Sequence, residues 1–208
     1  MRNLKWVKRV KWAMAGVGLA CLTAASVRAQ ARQPFSAQLS GIYMSVAGDP
    51  YEGTNAGPGV EAQIRWNVPG RFGGFSLGGG FQRTSHSLDR PDTDLVLTGF
   101  FLEPRFVLAG SFFGSERFAP YLAPRITLLT QRYNADDFDG STGGLSGNLG
   151  AGLLYRLNRR ANIDAGATIG YTTIRDERVT DRETQAEFNL PSGSGVNLMT
   201  RVGVAFSF

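Results

Sequence analysis

One short segment holds the residue types that acid–base catalysis needs. Thr84-Ser85-His86-Ser87 contains the only histidine of the 208-residue chain, and Asp89 follows it. A histidine beside a serine and a carboxylate can serve nucleophilic catalysis, with the imidazole as the base and the carboxylate orienting it. Neighbouring side chains of an extended chain point to opposite sides, however, which would separate His86 from both serines. We therefore expect a solvent-exposed loop histidine and predict no catalytic residues and no enzymatic activity.

Two further motifs are typical of ligand binding but lack the context that binding requires. Residues 136–140 (Asp-Asp-Phe-Asp-Gly) alternate acidic residues as a calcium loop does, but no glutamate follows within the twelve-residue pattern. The glycines at 78–80 lack the strand-to-helix setting of a phosphate-binding loop. The single cysteine, Cys21, falls in a segment that we predict to be removed, which excludes disulfides and cysteine-bound zinc from the mature protein. We predict no cofactor and no bound metal.

The charged residues best placed to form a site are scattered along the chain but share one pattern. They stand at positions that alternate with apolar residues, on the same phase as Gly, Ser, Asn and Gln. Acidic and arginine side chains on such a phase can pair with one another in an enclosed interior. We predict a polar network of eight residues: Glu61, Arg65, Glu103, Arg105, Arg125, Arg156, Asp164 and Arg201.

The basic character of the chain is confined to its beginning. Residues 1–29 carry six of the 22 Lys and Arg, including every lysine, and no acid, which leaves 16 arginines against 17 acids elsewhere. A cationic start, an apolar run over 12–25 and the exit Val27-Arg28-Ala29 are typical of a secretory signal peptide, and the run is too short to span a membrane as a helix. We predict a signal peptide at 1–29, a β-barrel domain at 30–208, and no nucleic-acid partner, since the mature chain is close to neutral.

The elements that must hold the charged residues are strands. After residue 30 no window has helical periodicity, whereas apolar and polar residues alternate in eight segments. The last is the clearest, with Val202, Val204 and Phe206 on one phase and Arg201 and Gly203 on the other. The predicted strands are 35–45, 59–66, 75–84, 95–108, 118–133, 145–157, 161–173 and 196–208.

The connections alternate between long and short. Long connections, rich in Asp, Gly, Thr and Asn, are expected at 47–58, 85–94, 134–144 and 175–195. This rhythm predicts an eight-stranded antiparallel up-and-down β-barrel with both termini at the short-turn end. The densely charged connection 175–195 is expected to be a solvated hairpin extension, and an adhesive or ligand-contacting surface is its alternative.

Composition decides which face of the barrel meets water. A soluble barrel carries lysine and glutamate on its outer face. Here the polar phase consists mostly of small residues, and the mature chain has no lysine. We therefore predict a transmembrane barrel with its apolar phase in lipid. Aromatic residues stand on that phase near strand ends, as interfacial girdles require: Phe35, Tyr43, Trp66, Phe75, Tyr155, Tyr171, Phe206 and Phe208. We expect β-bulges at Pro104, Pro120 and Pro124, because a closed barrel has no free edge for a residue without an N–H.

The chain resembles the small outer-membrane β-barrels of Gram-negative bacteria, of the OmpA/OmpX type. Four features carry the resemblance: the predicted signal peptide, the eight alternating strands, the alternation of long and short connections, and the C-terminal segment Arg201-Val-Gly-Val-Ala-Phe-Ser-Phe208. In that family the barrel assembly machinery reads an aromatic C-terminal strand, and Phe206 with Phe208 matches it. The resemblance implies a monomer in the cell outer membrane, with extracellular long loops and periplasmic termini. The implied partners are outer-membrane lipids, lipopolysaccharide and, during biogenesis, the assembly machinery.

Three functions fit this resemblance. The first is a non-enzymatic integral outer-membrane barrel with a structural or surface-interaction role. The second is a narrow porin-like channel for small solutes. The third is a lipid A-modifying enzyme, since some eight-stranded barrels of this kind use a histidine with a serine and a carboxylate. An eight-stranded barrel is just wide enough for side chains to fill, so the predicted network should block the lumen.

Overall fold

A computed structural model of the chain describes residues 33–68, 74–89, 94–108, 115, 117–134, 138–175, 177–181, 187–190 and 192–208. The predicted signal peptide and the two acidic residues at 136–137 lie outside these ranges. No helix among the described residues is both long and apolar enough to cross a bilayer.

Within these ranges ten strands form one sheet, and eight of them close into a barrel. The strands are β1 (Phe35–Gly48), β2 (Gly57–Asn67), β3 (Phe75–Ser87), β4 (Asp94–Val107), β5 (Phe118–Asn134), β6 (Phe138–Arg156), β7 (Ala161–Ile174), β8 (Glu177–Asp181), β9 (Glu187–Leu190) and β10 (Gly193–Ser207). Their order is β5-β4-β3-β2-β1-β10-β7-β6, and antiparallel pairing of β5 with β6 closes the ring. The predicted eight-stranded antiparallel barrel is thus confirmed. The charged connection 175–195 contains the hairpin β8–β9, which pairs with the beginning of β6.

The strand register fixes the shape of the barrel. The paired Cα positions can be followed from Leu97 across every strand until they return to β4 at Val107, ten residues further along. A shear of ten with eight strands corresponds to a strand tilt of about 40° and an interior filled by side chains.

Alternation assigns the two faces, as predicted. In β10, Arg201 is 3% exposed and the adjacent Val202 is 63% exposed. A ring of outward aromatic residues stands at the short-turn ends of seven strands, with Phe75 against Phe106 and Phe118 against Tyr155 at centroid distances of 5.1 Å. The ring consists of Phe35, Trp66, Phe75, Phe106, Phe118, Tyr155 and Phe206. Such a girdle is characteristic of the membrane interface.

The prolines do not produce the bulges that we predicted. The β4–β5 ladder runs from Leu102 paired with Ile126 to Phe106 paired with Leu122 without any change of register, so Pro104 faces Pro124. The pairing is interrupted at this level, because neither proline has an N–H to donate. Pro104 keeps its pairing with β3, and Pro120 and Pro124 keep theirs with β6. The carbonyl oxygen of Pro120 also accepts a hydrogen bond from Leu108 N at 2.7 Å. Pro104 and Pro124 therefore lie opposite each other at a single interruption of the β4–β5 pairing, and neither strand needs an extra residue.

An apolar cluster occupies part of the interior at the long-loop end, beside the buried Thr84 and His86. The cluster consists of Ile42, Met44, Val46, Tyr51, Leu95, Leu97, Ile174 and Met199. Tyr51 belongs to a 3-10 helix, Asp49–Tyr51, in the first long connection. That connection folds inward, since Tyr51 is only 3% exposed. Two hydrogen bonds attach it to the end of β3, from Asn55 N to Ser87 O at 2.9 Å and from Asp89 N to Gly53 O at 2.8 Å. The first loop therefore caps an apolar layer at the mouth of the barrel.

Candidate functional site

Glu103 of β4 is the centre of an ion-pair network across the barrel interior. Its carboxylate accepts from Arg65 Nη2 at 2.7 Å, from Arg125 Nη2 at 2.6 Å and from Arg201 Nη1 at 2.7 Å. Arg105 Nη2 adds a fourth contact at 3.2 Å. One buried carboxylate therefore ties together arginines from four strands, β2, β4, β5 and β10.

Two further carboxylates share these arginines. Glu61 accepts from Arg125 Nη1 at 2.7 Å and from Arg201 Nη1 at 3.3 Å. Asp164 of β7 accepts from Arg105 Nη2 at 2.7 Å. All the charged groups of the network are buried, so each depends on its partners for the interactions that water would otherwise supply.

Tyr121 of β5 joins the network as both donor and acceptor. Its hydroxyl donates to Asp164 Oδ1 at 2.5 Å and accepts from Arg201 Nη2 at 3.0 Å. The guanidinium of Arg105 lies 3.9 Å from the centroid of its ring, a cation–π contact. Gly152 and Gly166 make room for it, because a Cβ on either would approach the Tyr121 hydroxyl oxygen within 2.2 or 2.6 Å.

Polar side chains complete the shell around the arginines. Arg65 Nη1 donates to Ser76 Oγ at 3.1 Å and Arg65 Nη2 to Gln63 Oε1 at 2.8 Å. Arg125 Nη1 donates to Gln82 Oε1 at 2.9 Å, and its guanidinium lies 3.9 Å from the ring centroid of Phe101. The layer is therefore packed with side chains and not lined by open water.

Seven of the eight residues of the predicted network meet in this layer, and Arg156 does not. Arg156 lies on the inward phase of β6, two residues beyond buried Leu154 toward the short-turn end, and it is only half-buried. Leu154 is the residue of β6 that pairs with Asp164, so Arg156 lies one step below the carboxylates. Its position at the strand end separates it from the ionic layer.

A neutral polar layer lies next to the ionic layer on the long-loop side. Asn197 Nδ2 donates to Ser146 Oγ at 3.0 Å and to Thr172 Oγ1 at 2.8 Å, while the Asn197 side-chain oxygen accepts from Asn148. A cavity of about 10 Å³ adjoins this cluster and Arg125. That volume is about the room of a single water molecule.

His86 lies inside the barrel, and the predicted exposed loop position is wrong. Strand β3 extends to Ser87, so His86 is on the inward phase and buried, while Ser85 and Ser87 face outward. Its Nδ1 lies 2.9 Å from Asn55 O and its Nε2 2.9 Å from Thr84 Oγ1. Asp89 accepts from Asn55 Nδ2 at 3.2 Å. Neither serine shares the face of the histidine, and both ring nitrogens face polar oxygen atoms.

Three features of the interior were absent from the prediction. Tyr121, the neutral cluster around Asn197 and the apolar layer at the mouth all lie on phases that the strand alternation assigns to the inside. In β1, for example, Ile42 and Met44 continue the phase of Ser40. Counting every residue of that phase, and not only the charged ones, would have identified them.

The C-terminal aromatic pair lies at the end of the last strand. Phe206 and Phe208 are exposed on the outward phase, and Phe208 N donates to Phe35 O at 2.9 Å. No group of three or more His, Cys, Asp and Glu within the described ranges could hold a metal ion.

The family described as outer membrane protein beta-barrel domain matches residues 17–205 of the chain. The crystal structure of Neisserial surface protein A is similar over 86% of this chain and 100% of that one, with 15% identity and a TM-score of 0.58. The outer membrane protein OprG from Pseudomonas aeruginosa is similar over 85% of this chain and 96% of that one, with 14% identity and a TM-score of 0.50. These likenesses concern the fold alone. A comparison with curated protein sequences finds no match.

Proposed function

Because the chain belongs to the outer membrane protein β-barrel domain family, it is an integral outer-membrane β-barrel protein, and we propose that it is a closed, non-enzymatic barrel that acts through its loop surface. The observation that carries this proposal is the filled interior. An ionic layer, a neutral polar layer and an apolar layer follow one another along the barrel axis.

The ionic layer supports a closed lumen, because its contacts cross the barrel. Arg201 of β10 reaches Glu103 of β4, and Arg125 of β5 reaches Glu61 of β2. A solute passing through would have to break several charge-assisted hydrogen bonds at once, each stronger than a neutral one. The apolar layer, which includes Tyr51, would then oppose any hydrated ion by the cost of its desolvation.

Planar bilayer recordings test the closed lumen. We expect no stepwise conductance from the full-length mature protein. We also expect none from Glu103→Gln, which weakens only the ionic layer, or from Tyr51→Ala, which weakens only the apolar layer. Stepwise openings of the unmodified protein would contradict the proposal and favour the channel. Openings of one variant alone would mean that a single layer closes the lumen.

The non-enzymatic part of the proposal is supported by the surroundings of His86. The histidine faces the Asn55 carbonyl and the Thr84 hydroxyl inside the barrel, away from both neighbouring serines. We expect His86→Ala to leave the lipid A mass profile of the host unchanged relative to the unmodified protein. A profile that changes with His86→Ala but not with Thr84→Val would overturn this part.

We further propose that the long loops are extracellular, that both mature termini are periplasmic and that the barrel is monomeric. The aromatic pair Phe206 and Phe208 would then serve the assembly machinery at the periplasmic side. Labelling of intact cells with a membrane-impermeant maleimide tests the orientation. We expect Glu52→Cys, in the first long loop, to be labelled and Arg159→Cys, in a short turn, to be protected. The reverse pattern would contradict the orientation.

A further inference from the structure

The ionic layer holds more positive than negative charge. Among the described residues its buried ions are four arginines and three carboxylates: Arg65, Arg105, Arg125, Arg201, Glu61, Glu103 and Asp164. Tyr121 adds no negative charge, since its hydroxyl donates a hydrogen bond to Asp164. Arginine stays protonated in proteins, so the layer cannot become neutral by releasing a proton. One positive charge therefore has no buried carboxylate to balance it.

The position of this charge makes the imbalance costly. An ion that leaves water loses its hydration, and in a medium of low dielectric constant only a nearby opposite charge compensates that loss. The barrel wall around the layer is apolar on its outer side, where Val202 follows Arg201 and is 63% exposed. The excess charge therefore favours the uptake of an anion from solution.

Three donors within the layer are available to such an anion. Among the described residues the Nε atoms of Arg65, Arg105 and Arg201 are buried and have no hydrogen-bond partner. Their side chains are at most 6% exposed. Arg201 Nε lies 4.0 Å from Asp164 Oδ2, so a carboxylate is already close to it. The Nε atoms of Arg65 and Arg105 are thus the donors best placed for a further negative charge.

Ser76 of β3 lies between these two arginines. It pairs with Arg105 on β4, and its hydroxyl oxygen accepts from Arg65 Nη1 at 3.1 Å. The two guanidinium groups also share one acceptor, Glu103 Oε1, which lies 2.7 Å from Arg65 Nη2 and 3.2 Å from Arg105 Nη2. The network therefore holds two like charges side by side, and one anion near Ser76 can compensate both.

An anion can reach this side of the layer from the short-turn end. Arg156 and Asn162 stand on the inward phases of β6 and β7 at that end and are only partly buried, and Asn162 is two residues from Asp164. The charges of Arg156, Arg159 and Arg160 raise the local concentration of anions there. Side chains fill the layer, so the ion must be small, and the excess of one charge requires a single negative charge.

From these observations we propose that the ionic layer binds one chloride ion on its short-turn side, between Arg65 and Arg105. The Nε–H groups of the two arginines donate to the ion, and the Ser76 hydroxyl, which accepts from Arg65, donates its own proton to it. The bound chloride makes the layer electrically neutral. The ion enters and leaves through the short-turn end without crossing the lumen, so the site adds to the closed barrel a dependence of its stability on a halide.

Urea unfolding of the mature protein in phosphatidylcholine vesicles tests the site, with chloride as the probe. Sodium gluconate replaces sodium chloride at constant ionic strength, so that electrostatic screening stays unchanged. We expect the ratio of folded to unfolded protein to rise about tenfold for each tenfold increase in chloride above its dissociation constant, because the ion binds only the folded state. Stability that does not depend on chloride would overturn the site.

A pair of variants assigns the effect to the unbalanced charge. Ser76→Asp places a fourth carboxylate between the two arginines, so it should abolish the chloride dependence and be more stable than the unmodified protein in gluconate. Ser76→Asn has the same shape without the charge and should retain the dependence. Heat-modifiable gel migration verifies that both variants fold. A dependence that persists in Ser76→Asp, or that disappears equally in both variants, would contradict the assignment.

Crystals of the unmodified protein grown with bromide in place of chloride test the position without any variant. Bromide is a close substitute for chloride, and its anomalous scattering distinguishes it from water. We expect one anomalous peak within hydrogen-bond distance of Arg65 Nε and Arg105 Nε. Water at both atoms, or bromide only elsewhere, would overturn the site. None of these outcomes depends on bilayer conductance, so the site and the closed lumen can fail separately.

Discussion

The ionic layer and the apolar layer of the barrel interior fill the same lumen by different physical means. In the ionic layer each group depends on several others, and Glu103 alone serves four arginines. In the apolar layer each side chain contributes its own buried area, and no member is indispensable to the rest. Loss of one residue should therefore affect the ionic layer collectively and the apolar layer locally.

The largest effect is expected from Glu103→Gln. This substitution keeps the shape of the side chain but leaves four buried arginines with only Glu61 and Asp164 as carboxylate partners. Removing one member of a buried ionic network costs about 3–5 kcal/mol. Urea unfolding in lipid vesicles should reveal a loss of that size, and the exposed Glu52→Gln should change stability by less than about 0.5 kcal/mol. A loss below 1 kcal/mol for Glu103→Gln would mean that water already compensates the arginines.

A smaller effect is expected from Leu97→Ala in the apolar layer. Leu97 is fully buried, so truncation removes its packing and leaves a cavity, at a cost of about 2–4 kcal/mol. The same unfolding measurement applies, with the outward-facing Leu39→Ala as the matched control, since its truncation leaves no internal cavity. A cost equal to that of Leu39→Ala would contradict a tightly packed mouth.

The smallest effect is expected from Tyr121→Phe at the margin of the ionic layer. The change deletes one hydroxyl and its two hydrogen bonds, with Asp164 and Arg201, but keeps the ring beneath Arg105. We expect a loss of about 1–2 kcal/mol. Combining it with Glu103→Gln should give less than the sum of the two single losses, because both act on Arg201. Strict additivity would mean that the layer is not one network.

The faces of the strands were predictable from the sequence, because a period of two assigns each side chain to the inside or the outside. Arg125 and Asp164 were thereby predicted to point inward without any knowledge of their neighbours. His86 was misassigned because the alternation was ended at residue 84, three residues before β3 ends. Once the strand is extended, the same rule places the histidine inside.

The partners within the network were not predictable in this way. Glu61 and Arg201 are 140 residues apart in sequence. They meet because only β1 lies between their strands, β2 and β10, in the closed ring. Arg156 stands on the inward phase like the other predicted network residues, yet its position at the short-turn end of β6 keeps it out of the ionic layer. The prolines are a similar case, since only the register of β4 against β5 reveals that Pro104 faces Pro124 and that a gap can replace two bulges.

By itself the sequence determined the number of barrel strands, the alternation of their faces and the chemical character of each face, because these depend on local spacing and composition. Only the tertiary structure decided which acid meets which arginine and how the first loop covers the apolar layer. Those outcomes depend on strand register and on a shear of ten. Register and shear are properties of the closed ring as a whole and of no single segment.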